Sequence, residues 1–310
     1  MKSKVQSSIG YDVWMMNVRG NEYSKGHKSL DTCSSCRNYW SFGLDEPARF
    51  DYPASIDYIL EATSQKDLFY VGYSMGSAHY AILLSELPEY NRKIRAGFLM
   101  GPAIFLGNSA AVLKLGKPLF QYVLNLLDYF NIFELATKSI ASLSHYACTK
   151  DETHASYCHK IWNYVGTTDS QDLDLKTSLI QLSNIPSGSS LKTYKHFLQL
   201  LDGSFTKYSY DARTNLKLYG TPTAPQYNLD NVRVPTKIYV GQSDPLTSLK
   251  DAQKLSAALP KSLGVHVVER QAWNHIDFGF SAEAHELVFN HLISDMNRFQ
   301  NKMVLNCTLH

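Results

Sequence analysis

The chain has 310 residues, enough for one large domain or two modest ones. Hydrophobic residues make up 44% and charged residues 19%, while 17 glycines and 11 prolines exclude a collagen-like or low-complexity chain. The net charge is +2 and no run of five like charges occurs, which argues against a nucleic-acid-binding arm or a polybasic membrane patch. No uncharged apolar run approaches the length of a membrane span.

The first eight residues, MKSKVQSS, are polar. No apolar core of a signal peptide follows them, because the stretch from Tyr11 to Asn17 is already typical of a buried strand. We therefore expect the sequence as written to carry no signal peptide.

The first hundred residues alternate between strand and helix patterns. In chain order they predict a strand at Tyr11–Asn17, a helix at Pro53–Thr63, a strand at Leu68–Gly72, a helix at Ser77–Leu87 and a strand at Ile94–Met100. Strands that alternate with helices are typical of a mostly parallel α/β sheet.

The pattern changes after Pro102 and returns near Pro235. The stretch 109–135 is rich in Leu, Phe and Tyr at helical spacing, with interruptions at Gly116 and Pro118. No strand is predicted between Pro102 and Pro235. This predicts a helical insertion between two strands of the sheet. The last part of the chain predicts strands at 236–241 and 265–269 and helices at 249–259 and 282–299.

A candidate nucleophile lies between the second predicted strand and the helix after it. The sequence Gly72-Tyr73-Ser74-Met75-Gly76 is a G-x-S-x-G motif, and its strand–turn–helix context predicts a nucleophile elbow at Ser74. Such a turn is sharp, so we expect small residues on both sides of the serine. The alternative interpretation is an ordinary strand–helix turn.

An acid and a base follow two later predicted strands. Asp244 lies just after the strand at 236–241, and His275 lies after the strand at 265–269. The order Ser74, Asp244, His275 is that of the nucleophile, acid and base in α/β-hydrolases. Asp244 has the alternative role of a helix N-cap, and a lone histidine among 11 is more often structural.

The five cysteines leave several possibilities open. In a secreted protein they predict one or two disulfides and at least one remaining thiol. A zinc site formed by Cys148, His154, Cys158 and His159 is disfavoured, because this spacing matches no common tetrahedral pattern. A redox role for the C-x-x-C motif is disfavoured by its Ser-rich surroundings. Asn306 begins the one glycosylation sequon.

From about residue 10 to about residue 300 the sequence resembles the acid lipase family, which contains the gastric and lysosomal acid lipases and their insect relatives. The matching segments are Gly10-Tyr11-Asp12-Val13-Trp14, Asn17-x-Arg19-Gly20-Asn21, Tyr39-Trp40-Ser41-Phe42, Asp51-Tyr52-Pro53-Ala54, Tyr70-Val71-Gly72-Tyr73-Ser74-Met75-Gly76, Asn184-Ile185-Pro186-Ser187-Gly188-Ser189-Ser190, Tyr227-Asn228-Leu229 and Asn274-His275-Ile276-Asp277-Phe278.

The resemblance implies an α/β-hydrolase fold with a mostly parallel sheet and a helical cap. The core would comprise residues 1–106 and 226–310, and the cap residues 107–225. Cys148 and Cys158 resemble the cysteines of the family's cap disulfide. The implied activity is hydrolysis of neutral-lipid esters, such as triacylglycerols or sterol esters, without a cofactor. The implied partners are the lipid ester and a lipid-droplet or membrane interface, and the implied location is secreted or lysosomal.

The sequence departs from the family pattern in two places. The family's elbow often reads Gly-His-Ser-Gln-Gly, whereas the inner residues here are Tyr73 and Met75. The backbone N–H of Met75 can still serve as an oxyanion donor. Family members also have an earlier segment with a signal peptide, the first strands and a His-Gly-Leu loop that supplies the other oxyanion N–H. This sequence starts later and has no His-Gly dipeptide, so we expect the N-terminal strands to be missing.

Two classes of function therefore compete. The first is a serine hydrolase that cleaves lipid esters through Ser74, His275 and Asp244. The second is a truncated, catalytically impaired lipid-binding or regulatory homologue, since loss of one oxyanion donor lowers kcat by about 10²–10³. A hydrolase of another type, such as a peptidase, is disfavoured only by the family resemblance.

Overall fold

A parallel β-sheet of four strands forms the centre of the molecule. The computed structural model describes residues 10–151, 153–154, 156–158 and 185–307, the last seven of these by backbone alone. The strands, in spatial order, are β1 (Leu68–Tyr73), β2 (Ile94–Met100), β5 (Thr236–Val240) and β6 (Ser262–Val267). The fold is the α/β-hydrolase fold that the sequence predicts.

Helices flank this sheet and fill the segment between β2 and β5. The helices are α1 (Tyr52–Thr63), α2 (Met75–Glu86), α3 (Ala111–Tyr129), α4 (Lys138–Thr149), α5 (Leu191–Leu200), α6 (Ala212–Tyr219), α7 (Leu249–Ala258), α8 (Asp277–Phe280) and α9 (Asn290–Cys307). Within the described residues, no helix combines the length and the apolar character that crossing a membrane requires.

Hydrophobic clusters lie on both faces of the sheet. Adjacent strand residues point to opposite faces, so Leu99 packs in the cluster with α2 and α7, whereas Phe98 packs in the cluster with α9. Helix α2 is buried along the whole stretch Ser77–Ser85. A parallel sheet covered on both faces is well suited to hold the loops at its carboxyl edge in fixed positions.

The predicted strand at Tyr11–Asn17 is wrong. These residues are irregular in the structure, and residues 11–16 line a cavity of about 880 Å³ beside the edge strand β1. An apolar run becomes a strand only when a neighbouring strand pairs with its backbone, and no described strand does so here. A turn follows this stretch, in which Asn21 N donates to Val18 O at 3.2 Å.

Two details of the segment between β2 and β5 also differ from the sequence prediction. A short antiparallel pair, β3 (Glu134–Leu135) with β4 (Ser189–Ser190), occurs where no strand is predicted. Helix α3 continues through Pro118, although proline removes the N–H that would bond the carbonyl of Lys114. Both residues are exposed, so water can take that bond.

Two disulfides join cysteines that are close in sequence. Cys148 is bonded to Cys158, as the family resemblance implies, and Cys33 is bonded to Cys36. The first bond occupies both sulfurs of the alternative zinc site, and His159 lies outside the described residues. Asn306 lies in the last turn of α9, and its side chain is also outside the described part.

His79 is buried inside α2, on the helix that follows the candidate nucleophile. Its Nδ1 lies 3.3 Å from the Tyr52 hydroxyl, and its Nε2 has no hydrogen-bond partner among the described residues. Burial, together with the smaller effect of the nearby His196, lowers the pKa of His79 to about 3. The folded chain therefore holds this imidazole in its neutral form.

We expect Leu84→Ala to lower the free energy of unfolding by about 2–5 kcal/mol, because Leu84 is 0% exposed and its loss leaves a cavity. Leu115→Ala is the matched control, since Leu115 is 81% exposed and lies in another helix. Its effect should stay within about 0.5 kcal/mol. Denaturant unfolding measures both values, and equal losses would contradict this packing.

We expect stability to fall as the pH drops from about 6.5 toward about 3, because the unfolded chain binds a proton at His79 that the folded chain excludes. Each such histidine contributes a slope of up to about 1.4 kcal/mol per pH unit. His79→Gln should flatten the dependence over this window, as measured by urea unfolding at several pH values. Parallel curves for variant and wild type would refute the assignment.

Candidate active site

Ser74 occupies a sharp turn between β1 and α2. Its backbone has φ 52° and ψ −114°, a conformation that residues with a side chain rarely adopt. Three bonds hold the turn: Ser74 N donates to Met100 O at 3.0 Å, while Ser77 N and Ala103 N donate to Ser74 O at 3.0 and 3.3 Å. Backbone strain of this kind persists only where the surroundings fix it, and it is concentrated at functional sites.

Of the two glycines that flank Ser74 in the motif, only Gly72 lies where neighbouring atoms leave no room for a Cβ. A Cβ at Gly72 would lie 3.0 Å from Ser77 N and 3.1 Å from Gly76 C, both backbone atoms. A Cβ at Gly76 would meet nothing closer than the Tyr52 hydroxyl at 3.8 Å. The expectation of two necessary small residues is therefore confirmed at position 72 and wrong at position 76.

His275 lies between the two other predicted site residues. Its Nε2 is 2.8 Å from Ser74 Oγ, and its Nδ1 is 2.9 Å from Asp244 Oδ2. The loop that carries it is closed by its own side chains, since Asn274 N donates to Asp277 Oδ2 and Ile276 N donates to Asn274 Oδ1. The structure thus brings together three residues that are up to 201 positions apart.

Asp244 is buried and held by its own turn. Its Oδ1 accepts bonds from the backbone N–H groups of Leu246 and Thr247 at 2.9 and 2.7 Å, and its Oδ2 accepts one from the Thr247 hydroxyl. Asp244 is not the N-cap of α7, because that position is held by Ser248, whose hydroxyl accepts a hydrogen bond from Asp251 N. These bonds orient the carboxylate toward the imidazole.

The sequence analysis missed three residues that shape the site. Thr247 donates to the acid, as described above. Gly101 has φ 50°, and a Cβ there would lie 3.0 Å from His275 Nδ1. A Cβ at Gly241 would collide with the carbonyl oxygen of Trp273, so glycine lets the acid and base loops meet. The available signal was a glycine at the end of each of two predicted strands: Gly101 directly follows the strand at 94–100, and Gly241 is the last residue of the strand at 236–241.

Met75, the predicted oxyanion donor, is the first residue of α2. The N–H groups in the first turn of a helix have no acceptor within the helix, and the helix dipole favours negative charge there. The position therefore suits a donor to a negatively charged oxygen beside Ser74.

Comparison with known proteins assigns the chain to a family. The sequence profile of the alpha/beta hydrolase fold matches residues 1–280. Lipase 3 of Drosophila melanogaster is 32% identical over 298 residues, which cover 95% of this chain and 75% of that protein. Lipase 1 of the same fly is 29% identical over 294 residues, which cover 93% of this chain and 64% of that protein.

A mammalian relative has a more specific name. The lysosomal acid lipase/cholesteryl ester hydrolase of Rattus norvegicus is 29% identical over 303 residues, which cover 96% of this chain and 74% of that protein. The chain therefore belongs to the alpha/beta hydrolase fold family and, within it, to the lipases and ester hydrolases that include the lysosomal acid lipases.

Proposed function

We propose that the chain is a serine hydrolase that cleaves carboxylic esters, with Ser74 as nucleophile, His275 as base and Asp244 as the acid that orients it. The observation that carries this proposal is the position of the imidazole, which lies within hydrogen-bond distance of Ser74 Oγ on one side and of Asp244 Oδ2 on the other. That arrangement activates an otherwise weak hydroxyl nucleophile.

The proton and the acyl group move in two half-reactions. In the first, His275 Nε2 takes the Ser74 proton while Oγ attacks the ester carbonyl, and the Met75 N–H stabilises the oxyanion. His275 then gives the proton to the leaving alcohol, which leaves an acyl-serine. In the second, His275 takes a proton from water, the hydroxide attacks the acyl-serine, and the proton returns to Ser74 Oγ. Asp244 stabilises the imidazolium in both half-reactions.

We infer that the ester belongs to a neutral lipid, a triacylglycerol or a sterol ester. The names of the relatives support this substrate class. So does the outer face of α3, in the proposed cap at residues 107–225, which presents apolar side chains that are more than half exposed. These side chains are Val112, Leu115, Leu119, Tyr122 and Tyr129. An exposed apolar face of this kind suits contact with a lipid droplet or membrane surface.

We propose a secreted or lysosomal location. The two disulfides support it, because such bonds persist in oxidising compartments and are rare in the cytosol. A relative named as a lysosomal lipase points the same way.

We expect Ser74→Ala to abolish both labelling by a fluorophosphonate and turnover of a fatty-acyl ester. Ser85→Ala is the matched control, because Ser85 lies in α2, is buried and has no hydrogen-bond partner for its hydroxyl among the described residues. The control should keep both activities, measured by gel fluorescence and by fatty-acid release.

Other outcomes separate the competing functions. Ester turnover that survives in Ser74→Ala would refute the proposed nucleophile. A folded wild-type chain that binds acyl ligand but is neither labelled nor active would instead favour the regulatory homologue.

We expect Thr247→Val to lower kcat by about 10- to 150-fold, because a lost bond to a charged group is worth about 1.5–3 kcal/mol and a factor of ten in rate is about 1.4 kcal/mol. Thr236→Val is the control, since Thr236 is equally buried but bonds the Tyr80 hydroxyl instead. Rates per fluorophosphonate-labelled site give the comparison, and equal kcat for both variants would contradict a role for the Thr247 hydroxyl.

A further inference from the structure

Tyr73, the residue before the proposed nucleophile, contacts His275 in two ways. Its hydroxyl donates a hydrogen bond to the backbone carbonyl of His275 at 2.7 Å. Its ring lies beside the imidazole, with the ring centroids 5.3 Å apart and the planes inclined by 30°. Neither contact is used by the reaction steps described above, in which only the imidazole of His275 takes part.

The two ends of this contact differ in how they are held. Tyr73 is the last residue of β1 and pairs with Met100 of β2, so its backbone is part of the sheet. His275 lies in a loop after β6, outside any strand or helix. The hydroxyl of Tyr73 therefore connects the loop of His275 to strand β1, which leads directly into Ser74.

The surroundings keep this hydroxyl a donor. Burial raises the pKa of Tyr73 above its ordinary value, and the nearby carboxylates of Asp244 and Asp277 raise it further. The phenol thus stays protonated wherever the carboxylates are charged. The ring also packs against buried Phe278, at a centroid distance of 6.3 Å, which limits its rotation.

We propose that Tyr73 is a positioning residue for His275. Its hydrogen bond to the His275 carbonyl fixes the backbone of that residue, so that both imidazole nitrogens lie within hydrogen-bond distance of Ser74 and Asp244. This inference rests on the proposed function of Ser74 and His275. The imidazole must satisfy two distances, 2.8 Å to Ser74 Oγ and 2.9 Å to Asp244 Oδ2, from one backbone position. A displacement of about 1 Å in such a geometry can cost about 10²-fold in rate.

Tyr73→Phe tests the proposal, because it removes the hydroxyl and keeps the ring. Tyr80→Phe is the matched control, since Tyr80 is also buried, its hydroxyl bonds Thr236 Oγ1 at 2.7 Å, and that partner lies in β5, away from His275. Turnover of a soluble short-chain ester is normalised to the number of fluorophosphonate-labelled sites, so that a loss of folded protein does not count as a loss of kcat.

We expect kcat per labelled site to fall about 10-fold in Tyr73→Phe with KM nearly unchanged. Tyr80→Phe should have wild-type kcat per labelled site. Unchanged kcat in Tyr73→Phe, or an equal loss in both variants, would overturn the proposal.

A second readout does not depend on turnover. The proton between His275 Nδ1 and Asp244 should give a far-downfield proton NMR signal, identified by its absence in His275→Gln. We expect this signal to move upfield and broaden in Tyr73→Phe and to stay in place in Tyr80→Phe. If the wild type is not labelled by fluorophosphonate, the proposed function fails, yet the signal still decides whether Tyr73 positions His275. An identical signal in Tyr73→Phe and wild type would refute it.

Discussion

The backbone of Ser74 is the constraint on which the site depends. A residue with a side chain reaches φ 52° and ψ −114° only if its surroundings hold it there, and the cost of such a conformation is about 1–3 kcal/mol. Here β1 leads into the turn, the fully buried stretch of α2 leads out of it, and Met100 O accepts the Ser74 N–H. The strained turn puts the hydroxyl at the carboxyl edge of the sheet, where loops from β5 and β6 meet it. The packed core thus holds the proposed nucleophile in this turn.

Contacts within and between loops then position Asp244 and His275, the proposed acid and base. Asp244 is turned toward His275 by two backbone N–H groups and the Thr247 hydroxyl, and Gly101 leaves room for the imidazole. The bonds that orient Asp244 join residues only a few positions apart, whereas the contact from Tyr73 to His275 spans 202 positions. Short-range bonds shape the loop of Asp244, whereas this long-range bond connects the loop of His275 to strand β1.

The sequence predicted the elements that the periodicity of apolar residues indicates. It failed where the structure depends on backbone pairing with another segment. The bounds of β2 agree residue for residue, and the elbow and the order of Ser74, Asp244 and His275 follow from glycine positions and strand ends. Tyr11–Asn17 has the apolar pattern of a strand but no described strand beside it. The role of Thr247 could not be predicted, because a hydroxyl leaves no periodic signature and its partner is known only once the loop is closed.

The separation of Ser74 and His275 along the chain has a consequence for folding kinetics. Ser74 and His275 are 201 positions apart, and contacts of such high sequence separation form late, because the loop between them must be closed first. Helical segments such as α2 and α7 need only local contacts and form on a much shorter timescale. A partly folded chain that has only its native helices therefore does not yet hold His275 beside Ser74.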